Sequence, residues 1–463
     1  MADEPALSRI EQHGAEPIPL DERHGKPHTQ FTIFASTNLA FAVVLTGFFP
    51  AFLGLSLAQC VTAIVVGTAL ASVAIGVLSA MGSRLGVAAP ILARGPLGFL
   101  GAWPMVAYTS VFGSLGWATV NLVFGAWALQ GVVNIPLAVI VIVTAIAQAI
   151  IAIFGYDLVH LAARWTTIVM AVVFAIITVL ALSKADFSFG VNPEAPDFIG
   201  VWGGWLTAAG VFFAYVMGYA TFAADYSRYL PANTPAWRVT MYSALGNFVP
   251  TVWLGCLGAV IAGFAGQFDA VPAIEQLTGG FAPIVLITLA LSTIVINTVN
   301  IYGGAISVIA LVPRTSRPVA VIVLTAASAV LAIALQGDLY GSFYDFLLLT
   351  AYIATPWMVI MMLDYTVGGR RDPRRIPELY DRTRTSSWGL LAWVGACLIS
   401  VPFWSWKHYT GPIAAAHREW GDLTYLVGAV AGGVLYLAIH RLTVARRAAV
   451  PDAPVPAAEQ GVA

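Results

Sequence analysis

The chain has 463 residues, of which 59% are hydrophobic and only 10% are charged, and its mean hydropathy is +0.83. Soluble domains usually carry about 25% charged residues, so this composition excludes a water-soluble globular fold and makes the lipid bilayer the expected partner. The formal net charge of −1 gives no reason to expect nucleic-acid binding.

Apolar stretches of about 20 residues recur along the chain, and each is long enough to cross a hydrocarbon core of ~30 Å. They predict an all-α integral membrane protein with twelve transmembrane helices. The predicted spans are 31–54, 57–80, 99–129, 132–154, 165–183, 200–224, 239–265, 283–311, 318–336, 342–366, 388–404 and 422–440. The two chain ends, 1–28 and 448–463, are rich in Pro, Ala, Glu and Asp and are predicted to be disordered.

The basic residues predict how these helices are oriented, because cytoplasmic loops are enriched in Lys and Arg. With the N-terminus in the cytoplasm, 19 of the 22 Lys and Arg residues fall on the cytoplasmic side, and only Lys184, Lys407 and Arg418 fall outside. This bias predicts a multi-pass protein of the plasma or inner membrane with both termini cytoplasmic. The basic loop 367–387 is interpreted as a positive-inside anchor, with a regulatory or lipid-specific role as the alternative.

The first and sixth predicted helices contain residues that interrupt a helix. Asn38, Gly47 and Pro50 lie in the first, and Gly210 and Gly218 lie in the sixth. Unwound backbone there would free carbonyl groups to bind a cation or a substrate donor, whereas a kinked packing helix is the alternative. Interrupted helices at matching positions, five helices apart, favour two inverted repeats with a binding site between them.

The third predicted helix places Trp117 and Asn121 four residues apart and therefore on one face. An indole offers a flat stacking surface, and a carboxamide offers both donors and acceptors, so this pair suits a flat heterocycle. Packing or interfacial anchoring is the alternative role of the tryptophan. The eighth helix is unusually polar for a membrane span, which favours a substrate or ion role over packing. Its polar residues are Ser292, Thr293, Asn297, Thr298 and Asn300.

Two aspartates, Asp225 and Asp364, mark the cytoplasmic ends of the sixth and tenth predicted helices, each before a tyrosine and near basic residues such as Arg228. Charge pairing is the favoured interpretation, and gating or proton handling is the alternative. We find no GxSxG, HExxH or phosphate-loop motif, the histidines do not cluster, and the three cysteines show no metal-binding spacing. We therefore expect no enzymatic activity, no catalytic residue and no bound metal.

Several motifs in this chain resemble one known family. ADYSRYLP (224–231), GWATVN (116–121), NIYGG (300–304), PWMVIMMLDY (356–365) and GVAAPILARGPLGFLGAW (86–103) resemble the nucleobase:cation symporter-1 family, and most closely its purine–cytosine permease branch. The resemblance covers about residues 25–440. It implies a leucine-transporter-type fold of 5+5 inverted repeats with two extra C-terminal helices, and symport of a nucleobase with H⁺ or Na⁺ by alternating access.

The implied organisation divides the chain into five parts. A ten-helix transport core at 29–366 holds inverted repeats at about 29–183 and 200–366. The N-terminal tail 1–28 precedes this core. The basic loop 367–387, helices 11 and 12 at 388–440, and a cytoplasmic C-terminal tail at 441–463 follow it.

The resemblance also implies roles for individual residues. The family's stacking tryptophan falls on Trp117, its polar position one turn later falls on Asn121, and its base-contacting amide on helix 8 falls on Asn297. Ser114 stands where cytosine permeases carry a glutamine, which weakens an assignment of cytosine as substrate. Gating or structural roles are expected for Asp225, Arg228 and Asn300.

The aromatic partner on helix 6 falls on Tyr219 in one branch's pattern and on Val216 in the other's. We favour Tyr219 as the second wall of an aromatic sandwich around the substrate. Helix 1 is expected to contribute near Phe41 and Ala42.

The coupling ion is predicted from helix 8. Sodium-coupled members carry two hydroxyl side chains just before the substrate amide, where this chain has Val295 and Ile296, which cannot ligate Na⁺. H⁺ is therefore favoured over Na⁺ as the co-transported ion, and no other cofactor is expected. A shifted cation site would draw on Ser292 and Thr293 of helix 8, and on Asn38 and Ala42 of helix 1.

These observations favour an importer of purines, cytosine or a related heterocycle such as allantoin or hydantoin. The alternative is an amino-acid or amine symporter of the same fold, which would leave Trp117 and Asn121 unexplained. A receptor or an embedded enzyme is disfavoured, because the chain has neither a long cytoplasmic domain nor clustered His, Asp or Glu. The sequence makes no prediction about oligomeric state.

Overall fold

The computed structural model describes residues 16–154, 156–265, 270–312 and 314–449. The longer helices are α1 Thr29–Asn38, α2 Phe41–Phe52, α3 Leu57–Leu85, α7 Gly113–Gln130, α8 Leu137–Phe154, α9 Tyr156–Lys184, α10 Val201–Met217, α12 Ala236–Ala265, α13 Ala270–Thr278, α14 Ala282–Leu311, α15 Arg317–Leu335, α16 Leu339–Thr366, α17 Trp388–Ser400 and α19 Thr424–Ala449. The short helices are α4 Ala89–Leu92, α5 Arg94–Leu97, α6 Trp103–Val106, α11 Ala223–Ser227 and α18 Pro412–Ala416.

Smaller elements join these helices. A π-helical turn at Ala107–Phe112 connects α6 to α7, and 3-10 turns lie at Ala220–Phe222, Gly279–Phe281, Gln336–Asp338, Pro373–Leu379, Val401–Phe403 and Arg418–Trp420. The two-residue strands β1 Ser405–Trp406 and β2 Tyr409–Thr410 form an antiparallel hairpin in which Ser405 pairs with Thr410.

Within the described ranges, eight helices are long and apolar enough to cross a membrane, and the bent pair α1–α2 makes a ninth candidate. The shorter apolar helices α8 and α17 occupy two further predicted spans. The remaining predicted span, 99–129, contains α6, the π turn and α7, whose polar side chains such as Asn121 and Gln130 lower its hydropathy. Helices therefore occupy all twelve predicted spans, while the number that crosses the bilayer stays a prediction.

Exposed tryptophans mark one end of the bundle. Trp103, Trp165, Trp237 and Trp388 are all exposed, and each lies at or near the start of a predicted span, at the end that the charge bias assigns to the cytoplasmic face. Indole rings are enriched at the level of lipid headgroups, so these four positions fit an interfacial belt. Exposed Val, Ile and Leu side chains cover outward faces of α8, α9 and α15, as expected where helices face lipid.

The first predicted helix is broken directly after Asn38, and not at Gly47 or Pro50. Helices α1 and α2 meet at an angle of 63°, and the break lies at Leu39 and Ala40. Gly47 and Pro50 remain inside α2. An added Cβ at Gly47 would meet the Gly255 carbonyl of α12, so this glycine serves close packing between α2 and α12.

The sixth predicted helix is broken at Gly218, as its sequence suggested. Helix α10 ends at Met217, a 3-10 turn follows, and α11 continues to Ser227. Gly210 stays inside α10, where its Cα faces Tyr425. The Tyr219 hydroxyl donates to the Thr37 carbonyl at 3.0 Å, so the two breaks lie side by side.

The predicted disorder of the N-terminal tail was wrong for residues 16–28, which pack against the ends of α3 and α11. Ile18 is buried, and its backbone N–H donates to the Gly86 carbonyl at 2.9 Å. The Arg23 guanidinium donates to the Leu85 carbonyl at 3.0 Å, and so satisfies a terminal carbonyl of α3. Residues 1–15 of the predicted tail, and residues 450–463 at the other end, lie outside the described part of the chain.

The basic loop 367–387 is folded around one carboxylate. Glu378 accepts from Arg370 at 2.9 Å, from Arg375 at 2.8 Å and from Arg384 at 3.2 Å. Hydrogen bonding from Arg375, and then from Arg370, lowers the pKa of Glu378 to about 2. Arg370 also pairs with Asp364 at the end of α16 at 2.9 Å, which confirms the expected charge pairing of that aspartate.

Candidate functional site

A cavity lies between the two helix breaks and the helices α7, α9 and α14. Its volume is about 920 Å³, which includes its open mouth. Residues of all five of these elements line it.

Aromatic rings form one wall of the cavity. Trp117 of α7 meets Tyr215 of α10 edge to face, with ring centroids 5.1 Å apart. Tyr219, Phe222 and Tyr226 continue this wall along the broken sixth helix. Trp117 can approach because Gly218 has no side chain, since an added Cβ would lie 2.9 Å from the indole Nε1.

The Tyr219 hydroxyl ties the two breaks together. It donates to the Thr37 carbonyl at the end of α1 at 3.0 Å. The last carbonyls of a helix lack partners inside that helix. Tyr219 therefore contributes both a ring to the cavity and a partner for a terminal carbonyl of α1.

Two carboxamides provide the polar part of the lining. Asn121 of α7 lies one turn beyond Trp117 and lines the cavity with Asn300 of α14. Asn300 donates from Nδ2 to the Asn297 side-chain oxygen at 3.4 Å. The predicted substrate residues Trp117, Asn121 and Tyr219 thus meet at one cavity, and Asn300, expected to have a gating or structural role, joins them.

Asn297, the amide expected to contact the base, does not line this cavity. It is buried, and its Nδ2 donates to the Ala118 carbonyl of α7 at 2.9 Å. The sequence interpretation, which placed Asn297 against the base, is therefore corrected. The reason is the direction in which Asn297 projects from α14. On α14, Asn297 faces the neighbouring helix α7, whereas Val299 and Asn300 face the cavity.

Three more predicted residues lie in the tight interface between α7 and α14 or inside α14 rather than at the cavity. Ser114 is buried against Gly304, and the Thr293 hydroxyl lies close to Gly125. The hydroxyls of Ser292 and Thr293 donate to backbone carbonyls of their own helix at 2.6 and 2.7 Å. Small residues allow the two helices to approach, and the hydroxyls are satisfied locally.

The predicted residues Phe41, Ala42 and Val216 are also buried away from the cavity lining. Phe41 packs against Phe124 of α7, with ring centroids 6.4 Å apart. It belongs to an aromatic cluster that fills the space between α2, α7 and the start of α16. The cluster comprises Phe41, Phe49, Phe124, Trp127, Tyr340, Phe343 and Tyr344.

Near the break in the first helix, α14 lines the cavity with three apolar side chains. Asn38 lies beside the break, but its amide donates to Asn247 at 3.0 Å and its oxygen accepts from Thr251 at 3.0 Å. Across the cavity from Leu39 and Ala40, α14 contributes Val295, Ile296 and Val299. Na⁺ prefers several oxygen ligands, and these three side chains offer none.

The predicted gating residues Asp225 and Arg228 lie at the end of the broken sixth helix, outside the cavity lining. The Asp225 carboxylate accepts from the Ala89 N–H at the start of α4 at 2.8 Å. The Arg228 guanidinium lies over the Tyr229 ring, 5.1 Å from its centroid. These contacts tie α11 to the segment that follows α3, and their role in gating stays a prediction.

Sequence reasoning missed several lining residues. Tyr215, Phe222 and Tyr226 of the sixth helix and Thr166 and Thr167 of α9 all line the cavity. The aromatic residues recur at about helical spacing along the interrupted sixth helix, which was an available signal. The threonine pair has no comparable signal, because two threonines near the start of an apolar helix are common in packing.

The cavity lining is uncharged: none of the described residues that form it is Asp, Glu, Lys, Arg or His. The described ranges also hold no group of three His, Cys, Asp or Glu side chains able to bind a metal ion. The site can therefore offer stacking surfaces, amide groups and the carbonyls of the helix breaks. It suits a flat and neutral molecule.

A bundle of apolar helices with an uncharged cavity between two broken helices is the architecture of a membrane transporter. Residues 17–428 match the family described as permeases for cytosine/purines, uracil, thiamine and allantoin. The chain belongs to this family, within the nucleobase:cation symporter-1 group that its motifs resemble, and it is a multi-pass membrane transporter.

Individual relatives agree with this assignment. YxlA of Bacillus subtilis, whose name assigns it provisionally to the purine–cytosine permeases, is 28% identical over 95% of this chain and 98% of its own length. The purine–cytosine permease fcyB of Emericella nidulans is 27% identical over 72% of this chain and 69% of its own length.

Two solved structures share the fold. Mhp1, a nucleobase-cation-symport-1 family transporter, closed with bromovinylhydantoin bound, matches with a TM-score of 0.74 and 19% identity over 94% of this chain and 96% of Mhp1. Its inward-facing form matches with a TM-score of 0.76 and 17% identity over 95% of each chain. The mainly helical transporter fold expected from the motifs is confirmed.

Proposed function

We propose that this chain imports a nucleobase or a related neutral heterocycle, such as a purine, cytosine, allantoin or a hydantoin. The observation that carries the proposal is the uncharged cavity in which the rings of Trp117 and Tyr219 accompany the amides of Asn121 and Asn300. Aromatic faces stack on planar rings, and carboxamides match the mixed donor and acceptor edges of a base. The names of the relatives point in the same direction.

An amino-acid or amine symporter of the same fold is the competing function. Its substrate carries a carboxylate and an ammonium group, and burying either charge is costly unless a partner compensates it. The free carbonyls beside the first break would serve an ammonium group, but no lining residue among those described is cationic. The lining therefore favours the heterocycle.

Uptake by cells that produce the protein tests this proposal. Labelled adenine, cytosine, uracil and allantoin are offered in turn, and unlabelled amino acids serve as competitors. We expect at least one heterocycle to accumulate and amino acids to compete poorly. Correct membrane insertion without accumulation of any heterocycle would overturn the assignment.

The arrangement of open and closed ends supports transport by alternating access. The cavity extends along α1, α9 and α11 towards the face of the bundle where α1 begins, through Ser36, Thr166 and Tyr226. At the other face, the rings of Phe49 and Tyr344 in the aromatic cluster lie 3.9 Å apart. We assign the open end to the cytoplasm, because both termini are predicted to lie there. We also propose a location in the plasma or inner membrane, with twelve spans and two inverted repeats.

We propose H⁺ rather than Na⁺ as the co-transported ion, because α14 lines the cavity that contains the first break with Val295, Ile296 and Val299, which offer no oxygen ligand. At clamped pH, a sodium gradient should leave uptake unchanged within about twofold, whereas a protonophore should abolish concentrative uptake. Uptake driven equally well by sodium at constant pH would contradict this assignment.

A further inference from the structure

A chain of two hydrogen bonds links the cavity to the interface between α7 and α14. Asn297 donates from Nδ2 to the Ala118 carbonyl at 2.9 Å, and Asn300 donates from Nδ2 to the Asn297 side-chain oxygen at 3.4 Å. Asn297 is 1% exposed, whereas Asn300 is half-buried and lines the cavity. The chain therefore runs from a fixed backbone carbonyl to a side chain that a substrate can touch.

This chain determines which end of the Asn300 amide faces the cavity. The Ala118 carbonyl can only accept, so Asn297 must present its NH₂ group to it and its oxygen to Asn300. Asn300 must then turn its own NH₂ group towards Asn297. Its side-chain oxygen, which has no partner within the described chain, is left for the cavity.

We propose that Asn297 is a positioning residue that makes the site selective for heterocycles with a hydrogen-bond donor on the edge that faces α14. Asn300 makes the contact, and Asn297 keeps its oxygen, rather than its NH₂ group, directed at the substrate. The inference rests on the proposed transport of a heterocycle. A substrate with an acceptor at the position that meets the Asn300 oxygen places its lone pairs against that oxygen and leaves both atoms unpaired.

Two bases of the same shape that differ in their donors and acceptors provide the test. Adenine against hypoxanthine and cytosine against uracil are used as competitors of uptake in the intact protein in its membrane. For the pair that the protein accepts, we expect roughly 5- to 150-fold discrimination, as an unpaired buried polar group costs about 1–3 kcal/mol.

Asn297→Leu keeps the approximate volume of the side chain and releases Asn300, which can then turn over. We expect the discrimination between the two members of a pair to fall to within about threefold, while uptake of one member persists. Asn297→Asp, in its protonated form, retains a donor for the Ala118 carbonyl and an acceptor for the Asn300 NH₂ group, and should keep the preference of the wild type.

Thr298→Val is the matched control. Thr298 is buried in the same helix, and its hydroxyl donates only to the Ile294 carbonyl of that helix, at 2.9 Å. Its removal should leave the discrimination unchanged. A general loosening of α14 would lower the discrimination in Thr298→Val as well, and would argue against a specific role of Asn297.

The outcomes separate the two proposals. If the wild type takes up no heterocycle, the proposed function fails. If it takes up and discriminates heterocycles, and Asn297→Leu discriminates equally well, the inference about Asn297 fails and the proposed function stands. If Asn297→Leu does not reach the membrane, Asn297→Asp decides: loss of the preference despite a retained acceptor contradicts the inference.

Discussion

At the scale of single residues, Trp117 and Tyr219 line the same cavity from two different helices. Trp117 lies against Gly218 and Tyr215, so its ring is held in place before any substrate arrives. Tyr219 is held by its hydroxyl, which donates to the Thr37 carbonyl at 3.0 Å. Preorganised rings lose little conformational freedom on binding, which favours the stacking of a flat substrate.

Two substitutions of Trp117, one without a ring and one with a smaller ring, test whether the substrate stacks on its side chain. Trp117→Ala should weaken substrate binding by roughly 5- to 150-fold, because stacking of a base on an aromatic ring is worth about 1–3 kcal/mol. Trp117→Phe should recover most of this loss. A competition series with the accepted heterocycle measures both, and equal affinity of Trp117→Ala and the wild type would remove Trp117 from the site.

The hydroxyl of Tyr219 should affect transport rate more than affinity. Tyr219→Phe keeps the ring but leaves the Thr37 carbonyl without its partner, and a net hydrogen bond is worth about 0.5–1.5 kcal/mol. We expect the maximal uptake rate to change severalfold and the apparent affinity to stay within about twofold. Tyr409→Phe, at an exposed residue of the β hairpin, is the control. A loss of affinity with an unchanged rate would contradict this role.

At the scale of elements, the two broken helices supply the cavity with backbone and rings, and the unbroken helices α7 and α14 supply the amides. The break at Leu39 and Ala40 ends α1, so the last carbonyls of α1 have no partner within that helix. The break at Gly218 lets Trp117 approach the backbone of the sixth helix. The first break therefore provides backbone carbonyls at the site, and the second provides space for the indole ring.

A methyl group at the second break should disturb the site without disturbing the fold. Gly218→Ala places a Cβ 2.9 Å from Nε1 of Trp117, so the indole must move. We expect substrate affinity to fall at least tenfold while the melting temperature in detergent changes little. Gly303→Ala is the matched control, since Gly303 also lines the cavity but its new Cβ would meet Phe222 only at 3.7 Å. Equal effects of the two substitutions would contradict this explanation.

The sequence predicted these elements well and the site only in part. Hydropathy identifies helices from local composition, so all twelve predicted spans hold helices. Residues on one helix face, such as Trp117 and Asn121, were also paired correctly. The roles of Asn297 and Asn300 are harder to predict, because the two residues lie only about 60° apart around one helix. Only the position of α7 decides which of them faces the cavity.

At the scale of the whole molecule, the folded loop 367–387 links the end of α16 to the segment before α6. The Phe99 N–H donates to the Arg384 carbonyl at 2.7 Å, and the Ser387 hydroxyl donates to the Pro96 carbonyl. Tyr436 of α19 donates to Asp364 at 2.7 Å, at the same place. The loop and α19 thus both contact the same end of α16.

The ion pairs of Glu378 predict how the stability of this loop depends on pH. The pKa of Glu378 is lowered to about 2 in the folded chain, chiefly by the Arg375 hydrogen bond. A lowered carboxyl pKa stabilises the fold above the unfolded pKa of about 4.3, and this stabilisation is lost as the pH falls towards 2. Glu378→Gln should therefore lower the melting temperature at pH 7, and its difference from the wild type should shrink below about pH 4.

Melting curves in detergent between pH 3 and pH 8 measure this difference. Glu194→Gln, at an exposed residue between α9 and α10, is the control and should melt like the wild type throughout. A difference for Glu378→Gln that stays constant down to pH 3 would show that the carboxylate does not hold the loop through its charge.

The sequence by itself determined the membrane environment, the position of the helices and the family, because hydropathy, charge bias and short motifs are local properties of the chain. It also located one helix break correctly, at Gly218. Tertiary structure decided the rest of the site. Of the candidate residues in the first helix, it placed the break directly after Asn38 and left Gly47 inside α2, packed against α12. It also placed Asn300 at the cavity and Asn297 behind it, because the approach of α7 occupies the adjacent face of α14.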